Sequence, residues 1–198
     1  MTLSLFRIST LNIVLGIVIC IIATACNKGI DEERLLSEEM KKQNPYQVDS
    51  KILFISDVGE EYNLEVVERE NEYHEFQNGN YATNYLIEIE KTSINSTDTL
   101  HDFYFELEMS TLPRYELKIW FYPPNKKGMT AYFNLPLSKD IPEYTDSAYI
   151  NGKWQYEVYI EEIQKKDSSA YRLYYSTEEG VLKVDFSNDS FLILKKLN

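Results

Sequence analysis

The chain has only two cysteines among its 198 residues, Cys20 and Cys26, so none follows residue 26. The sequence beyond that point has no thiol that could form a disulfide, bind a soft metal or act as a nucleophile. A domain built from it must be stabilised by its hydrophobic core alone. The length is sufficient for one domain with a core of that kind.

Glycine and histidine are also scarce, with seven and two residues. The glycine-rich loops that cradle phosphate are absent, as is the Gly-x-Ser-x-Gly elbow of serine hydrolases. His74 and His101 have no second histidine at metal-binding spacing, and we expect both at the surface. Asp185, Asn188 and Asp189 lack EF-hand spacing and predict a turn. We therefore expect no cofactor, no metal and no catalysis.

Acidic residues are abundant, with 32 Asp and Glu against 20 Lys and Arg and a net charge of −12. This balance disfavours binding to nucleic acid, which requires lysine and arginine to replace phosphate counterions. It also leaves two alternatives open. A pair of carboxylates could serve glycoside hydrolysis, because the sequence does not give their separation. An acidic surface would also suit an immunity or inhibitor protein that covers a basic toxin.

The most apolar stretch lies at the N-terminus. Arg7 precedes an apolar run over residues 11–23, which fits a secretory signal and is shorter than the ~20 residues of a membrane span. The run ends in Ile22-Ala23-Thr24-Ala25-Cys26, and this arrangement resembles the lipobox of bacterial lipoproteins. The resemblance implies removal of residues 1–25 and acylation of Cys26, for example with palmitate. Ala23 departs from the usual pattern, which has leucine there.

The same resemblance implies a location. In such lipoproteins an aspartate after the lipidated cysteine favours inner-membrane retention, so Asn27 implies an outer-membrane anchor. The acidic cluster at residues 31–33 resembles a surface-export tag of some Gram-negative bacteria, which leaves the periplasmic face and the cell surface as alternatives. Two or three acyl chains on one residue hold a domain durably at a bilayer. We therefore expect the membrane as a partner through the N-terminal lipid.

The chain after the leader divides by composition. Residues 26–45 are predicted to be the lipidated cysteine with an acidic tether, in which residues 31–42 favour a short helix before Pro45. Residues 46–198 are predicted to be a single all-β domain, an antiparallel sandwich or an open barrel. Alternating and aromatic runs predict twelve strands. These are residues 52–56, 62–69, 73–77, 83–91, 102–109, 115–122, 130–135, 147–150, 154–163, 171–176, 181–186 and 191–194.

The strongest turn signal is Asn151-Gly152, because both residues tolerate the positive φ of a type I′ hairpin turn. It lies in a C-terminal region that resembles the end of many uncharacterised bacterial surface lipoproteins. That resemblance implies a hairpin followed by a strand, a turn and a strand, with no known active site. The resembling segments are Ile150-Asn151-Gly152-Lys153-Trp154, Val158-Tyr159, Tyr174-Tyr175-Ser176 and Gly180-Val181-Leu182-Lys183.

Three consecutive strands allow a prediction of register, because the apolar faces of neighbours must match. Phenylalanine and aliphatic residues form the predicted core face. On the other face, the matching places Tyr104 beside Trp120 and Trp120 beside Tyr132. The next predicted row is Glu106, Lys118 and Asn134, followed by Glu108 opposite Glu116.

The predicted aromatic row of Tyr104, Trp120 and Tyr132 has two interpretations. The rings stabilise the sheet under a covering loop or second sheet, with their polar ends hydrogen-bonded. Alternatively, they form an exposed platform that binds a sugar ring or an apolar partner. Separately, Thr99 and Ser147 lie in short Asp-Thr-Leu and Asp-Ser-Ala segments that resemble bacterial O-glycosylation acceptors.

Together these features predict a lipid-anchored envelope protein that acts as a non-catalytic binding or interaction module. Its ligand is a glycan, a lipid or a protein. One alternative is a lipid or lipoprotein carrier that holds acyl chains in the concave face of a half-barrel. The envelope glycan hydrolase and the immunity protein remain alternatives of a different class.

Overall fold

A computed structural model describes residues 30–77, 84–98, 102–111, 114–124, 131–164 and 169–198. The predicted leader, Cys26, Thr99 and His101 lie outside these ranges. The chain separates into two compact units, the first with residues 1–33 and 75–86 and the second with residues 34–74 and 87–198. Within the described ranges, no helix is both long enough and apolar enough to cross a membrane.

The described residues are almost entirely β-structure, which confirms the predicted fold class. The single short helix among them is α1 (Glu38–Lys41). The strands are β1 (Glu32–Arg34), β2 (Lys51–Ser56), β3 (Glu61–Gln77), β4 (Asn84–Ser96), β5 (Tyr104–Ser110), β6 (Glu116–Tyr122), β7 (Ala131–Pro136), β8 (Tyr144–Ile150), β9 (Lys153–Glu162), β10 (Ala170–Ser176), β11 (Gly180–Phe186) and β12 (Phe191–Leu197).

The predicted helix over residues 31–42 is largely wrong, because part of that segment is extended. In the first unit, Asp31 donates its backbone N–H to the Asn84 carbonyl at 2.9 Å, and the Asn84 N–H donates to the Asp31 carboxylate at 2.8 Å. A neighbouring strand thus supplies the backbone partners that a helix would otherwise provide. The helix is confined to α1, in the second unit, where the Ser37 hydroxyl caps it by accepting from the Met40 N–H at 3.2 Å.

The second unit is built on an antiparallel sheet with the strand order β7-β6-β5-β4-β3-β2-β12-β11-β10-β9-β8. The sheet curls into a half-barrel, because β7 near one edge contacts β9 and β10 near the other. This corresponds to the open-barrel form of the prediction. The hairpin between β8 and β9 turns at Asn151 and Gly152, whose φ values of 53° and 76° confirm the predicted turn.

The inner face of the curled sheet holds the core. Phe54, Phe103, Phe105 and Phe121 are fully buried, and their rings pack on one another at centroid distances of 5.4–6.2 Å. The predicted core face of β5 to β7 is buried as expected. The described phenylalanine rings on this face therefore pack on one another.

The register between β5 and β6 differs from the prediction by two residues. Tyr104 lies opposite Tyr122, not Trp120, and Glu108 lies opposite Lys118. The observed register replaces the predicted contact between Glu108 and Glu116 with an ion pair, in which Lys118 Nζ is 2.9 Å from a Glu108 oxygen. Between β6 and β7 the prediction is confirmed, with Trp120 opposite Tyr132.

Residues 40–46, mostly predicted as tether, pack into the second unit. Tyr46 is completely buried, and its hydroxyl oxygen accepts from the Val181 N–H at 2.7 Å. The Tyr175 hydroxyl donates to the Gln43 carbonyl at 2.6 Å. Gly180 has a φ of +76°, and a Cβ there would lie 2.3 Å from the Tyr46 ring. Glycine is required at this position because the backbone φ is positive and because a side chain would clash with Tyr46.

Buried charges hold the same segment against β3 and β4. Arg69 Nη2 donates to both Glu90 oxygens at 3.0 Å, and the Asn44 amide donates to Glu90 at 2.9 Å. Nearby, Lys41 Nζ is 2.8 Å from the carboxylate of Glu88. Both glutamates are almost fully buried, so each depends on these partners for the stability of its charge.

Candidate binding site on the outer face of the sheet

A groove runs across the outer face of β3 to β6. It consists of two connected cavities of about 370 and 790 Å³, which share Glu68, Ser93 and Glu106 in their walls. Alternation along each strand creates it, because neighbours such as Phe105 and Leu107 point inward and leave Glu106 outside. These volumes lie in the range of ligand sites, roughly 300–1,000 Å³.

The groove is strongly acidic. Lys91 is a cation in its wall, and its Nζ lies 2.7 Å from a carboxylate oxygen of Glu72. This ion pair raises the pKa of Lys91 and lowers that of Glu72, so both groups stay charged. Glu108 is also paired, with Lys118 Nζ at 2.9 Å, whereas Glu68 and Glu106 form no ion pair with any residue that the structure describes. The carboxylates that line the two cavities are Glu68, Glu70, Asp98, Asp102, Glu106 and Glu108.

Aromatic rings form one side of the groove. Tyr104 and Tyr122 stack on each other with centroids 4.0 Å apart, and both are half-buried. Trp120 packs at a tilt on Tyr132, with centroids 5.4 Å apart. Tyr132 is 42% exposed. The three predicted site residues therefore all lie on the outer face. Tyr104 pairs there with Tyr122, which was not predicted, and Trp120 pairs with Tyr132.

The hydroxyls of Tyr104 and Tyr132 remain protonated at neutral pH. Desolvation raises the pKa of Tyr104, and the neighbouring Tyr122, Glu106 and Asp102 raise it further. Desolvation also raises the pKa of Tyr132. Each hydroxyl can therefore donate a hydrogen bond beside carboxylates that only accept. The groove thus combines negative charge, hydrogen-bond donors and flat apolar surfaces.

The other predicted sites have separate positions. His74 is exposed and lies 2.8 Å from Glu72, as expected of a surface histidine. Asn188 and Asp189 form the turn between β11 and β12, as predicted. Within the described parts of the chain, no group of three or more His, Cys, Asp or Glu side chains is placed to hold a metal.

Ser147 was predicted at the start of a strand, as a glycosylation acceptor at a loop edge. It lies instead inside β8, which begins at Tyr144, and it pairs with Tyr156 of β9. The Thr145 hydroxyl donates to its backbone carbonyl at 3.2 Å. The loop edge was misplaced because the polar residues before Ser147 continue the edge strand. The other acceptor, Thr99, lies outside the described residues.

Two neighbouring carboxylates, Glu143 and Glu161, bear on the hydrolase alternative and lie away from the groove. Glu161 in β9 is opposite the fully buried Leu173. Burial raises the pKa of Glu161, Glu143 raises it further, and Arg114 opposes the change. A carboxylic acid with a raised pKa is typical of a general acid. It is equally typical of a carboxylate that is merely desolvated.

Sequence reasoning missed several residues of the groove, notably Glu68, Glu70 and Lys91. The polar residues of β3 could have indicated this wall, but a segment with so few apolar residues resembles a loop in the sequence. No protein-family model, curated protein or solved structure matches the chain.

Proposed function

We propose that the chain is a lipid-anchored, non-catalytic binding module of the bacterial envelope, and that the groove binds a basic segment of a protein partner. The lipid anchor follows from the lipobox resemblance at Cys26. The observation that carries the choice of ligand is the set of six carboxylates around a groove with half-buried aromatic rings. Outer-membrane localisation is part of the same proposal.

Electrostatics favours a cationic ligand. A cleft lined by charge of one sign focuses the field and accelerates association with the opposite charge. Glu68 and Glu106 lie in both cavities, and neither forms an ion pair with any residue that the structure describes. A lysine or arginine of a ligand would thus supply the missing partner for each.

The rings provide a second component of affinity. Trp120 borders the groove, and arginine and lysine side chains bind favourably over tryptophan rings. The apolar stems of these side chains can also pack on Tyr122 while their charged ends reach the carboxylates. A basic peptide therefore satisfies both features of the site.

A glycan is the second candidate, supported by the half-buried Trp120 packed against the exposed Tyr132. A sugar ring could stack on these rings while its hydroxyls donate to Glu106 or Glu108. Such a ligand is neutral and would leave the carboxylates uncompensated. The two ligand classes are therefore distinguished by how strongly binding depends on the salt concentration.

The test measures binding of fluorescent arginine-rich peptides and of neutral oligosaccharides to the full-length protein in lipid nanodiscs. We expect peptide binding that weakens as salt rises. Glu68→Gln with Glu106→Gln should weaken it, whereas the exposed Glu178→Gln in the β10–β11 turn should not. Salt-independent binding of an oligosaccharide alone would assign the groove to glycans. Binding of neither class would overturn the proposal.

A further inference from the structure

A second cavity, separate from the groove, lies where the β8–β9 hairpin meets the outer face of the half-barrel on the opposite part of the sheet. Its volume is about 450 Å³. Apolar and aromatic side chains form most of its wall. These include Ile55, Tyr149, Tyr174, Phe191 and Ile193.

The hairpin is fixed in place over this cavity. The Asn151 side chain donates to the Leu194 carbonyl of β12 at 3.4 Å, and Ile150 is buried. Directly after the turn, Lys153 Nζ donates to the two Glu179 oxygens at 2.9 and 3.1 Å. The cavity wall formed by Tyr149 is therefore held by contacts on both sides of the turn.

The charge of this cavity is opposite to that of the groove. Lys183 and Lys195 line it, and its wall contains no carboxylate. Lys183 lies over the Phe191 ring at 5.1 Å and is paired with Asp185 at 2.7 Å. Lys195 occupies an irregularity in β12 that interrupts the pairing with β2. It forms no ion pair with any described residue.

We propose that this cavity binds a single-chain amphiphile with a carboxylate head, namely a long-chain fatty acid. The apolar wall contacts the chain, and Lys195 pairs with the head. The charge selects a carboxylate over a phosphate monoester. Lys183 is already neutralised by Asp185, so one cation remains, whereas a phosphate monoester carries about −1.5 to −2 charges at neutral pH.

The test uses a fatty acid with a photoreactive diazirine at its chain end, added to the full-length protein in nanodiscs. After irradiation, mass spectrometry locates the adducts. We expect labelling on the peptides that contain Tyr149 or Ile193, and competition by the unmodified fatty acid. Lys195→Gln should reduce labelling about tenfold, the effect of losing one charge-assisted contact. Lys196→Gln, the exposed neighbour outside the cavity wall, should leave it unchanged.

Three results would overturn the proposal. Equal labelling by the corresponding neutral alcohol would show that the head is not recognised. Stronger labelling by the alkyl phosphate would assign a different head. Undiminished labelling of Lys195→Gln would remove the proposed partner. Because Lys195 is exposed, its substitution should not unfold the protein, so reduced labelling would not reflect loss of folding. The melting temperature of each variant checks this directly.

Discussion

The two parts of the sheet's outer face have opposite chemistry. On β3 to β6, carboxylates such as Glu68 and Glu106 accompany aromatic rings, and Lys91 is neutralised by Glu72. Beside β10 to β12, Lys183 and Lys195 accompany apolar side chains. The net charge of −12 is therefore unevenly distributed. Inward positions determine the fold, which leaves outward positions free to differ between the two regions.

The largest expected effect comes from the buried charge behind the acidic region. Arg69→Met would leave Glu90 buried without its cation, and we expect the free energy of unfolding to fall by about 3–5 kcal/mol. Urea unfolding of the full-length protein measures this loss. Lys91→Met removes an exposed ion pair on the same strands and should cost at most about 1 kcal/mol. Equal losses would show that burial does not distinguish the two pairs.

The charge contrast itself is tested by reversal. Glu68→Lys with Glu106→Lys should weaken peptide binding by about a hundredfold, because each close charge pair contributes about 1.5 kcal/mol or more. Fatty-acid labelling should not change. Lys195→Glu should reduce fatty-acid labelling and leave peptide binding unchanged. If either variant altered both activities, the two regions would not be independent sites.

The two tryptophans provide a matched pair. Trp120 lines the groove, whereas Trp154 is 59% exposed on the hairpin. Trp120→Ala should reduce peptide affinity about tenfold, the size expected for loss of a partly desolvated cation–π contact. Its melting temperature should change little, and Trp154→Ala should bind the peptide normally. A large fall in melting temperature for Trp120→Ala would instead assign it to the packing of the sheet.

The smallest effect concerns an acid outside both regions. The pKa of Glu161 is raised by burial and by Glu143, so the folded protein holds that proton more tightly than the unfolded chain does. Stability from this group is complete below the unfolded pKa and is lost as the pH rises through the folded one.

Glu161→Gln should therefore raise the melting temperature at neutral pH by about 1–2 °C. The gain should vanish at about pH 3, where glutamates are protonated. Glu162→Gln removes an exposed pair with Arg172 and should give no gain. A gain that persists in acid would contradict the assignment.

Much of the fold follows from alternation in the sequence. Alternation predicted the buried face of β5 to β7 because only one face of these strands is apolar. It could not fix the β5–β6 register, since matching faces allows shifts of two residues. The contact between Glu108 and Lys118 distinguishes the observed pairing from the predicted one. Charge complementarity across strands was the information that face matching lacked.

Polar strands were the main source of error. Glu70 and Asn71 are exposed, and the sequence around them predicts a break, yet β3 continues through them. For the same reason Glu68 and Glu70 were not predicted as part of the groove, although Glu106, Glu108 and Trp120 were placed on its face. The cavity under the hairpin was also missed, because its wall joins Tyr149 to residues such as Ile55 that are distant in the chain.

The position of Tyr46 has a consequence for biosynthesis. Its hydroxyl bonds to a backbone group 135 positions further along the chain, and its ring fills space that only Gly180 leaves open. Tyr46 is synthesised early, and the residues that enclose its ring are synthesised late. Contacts between residues so far apart in the chain slow folding. We expect the polypeptide to stay without its final packing until nearly all of it has been synthesised.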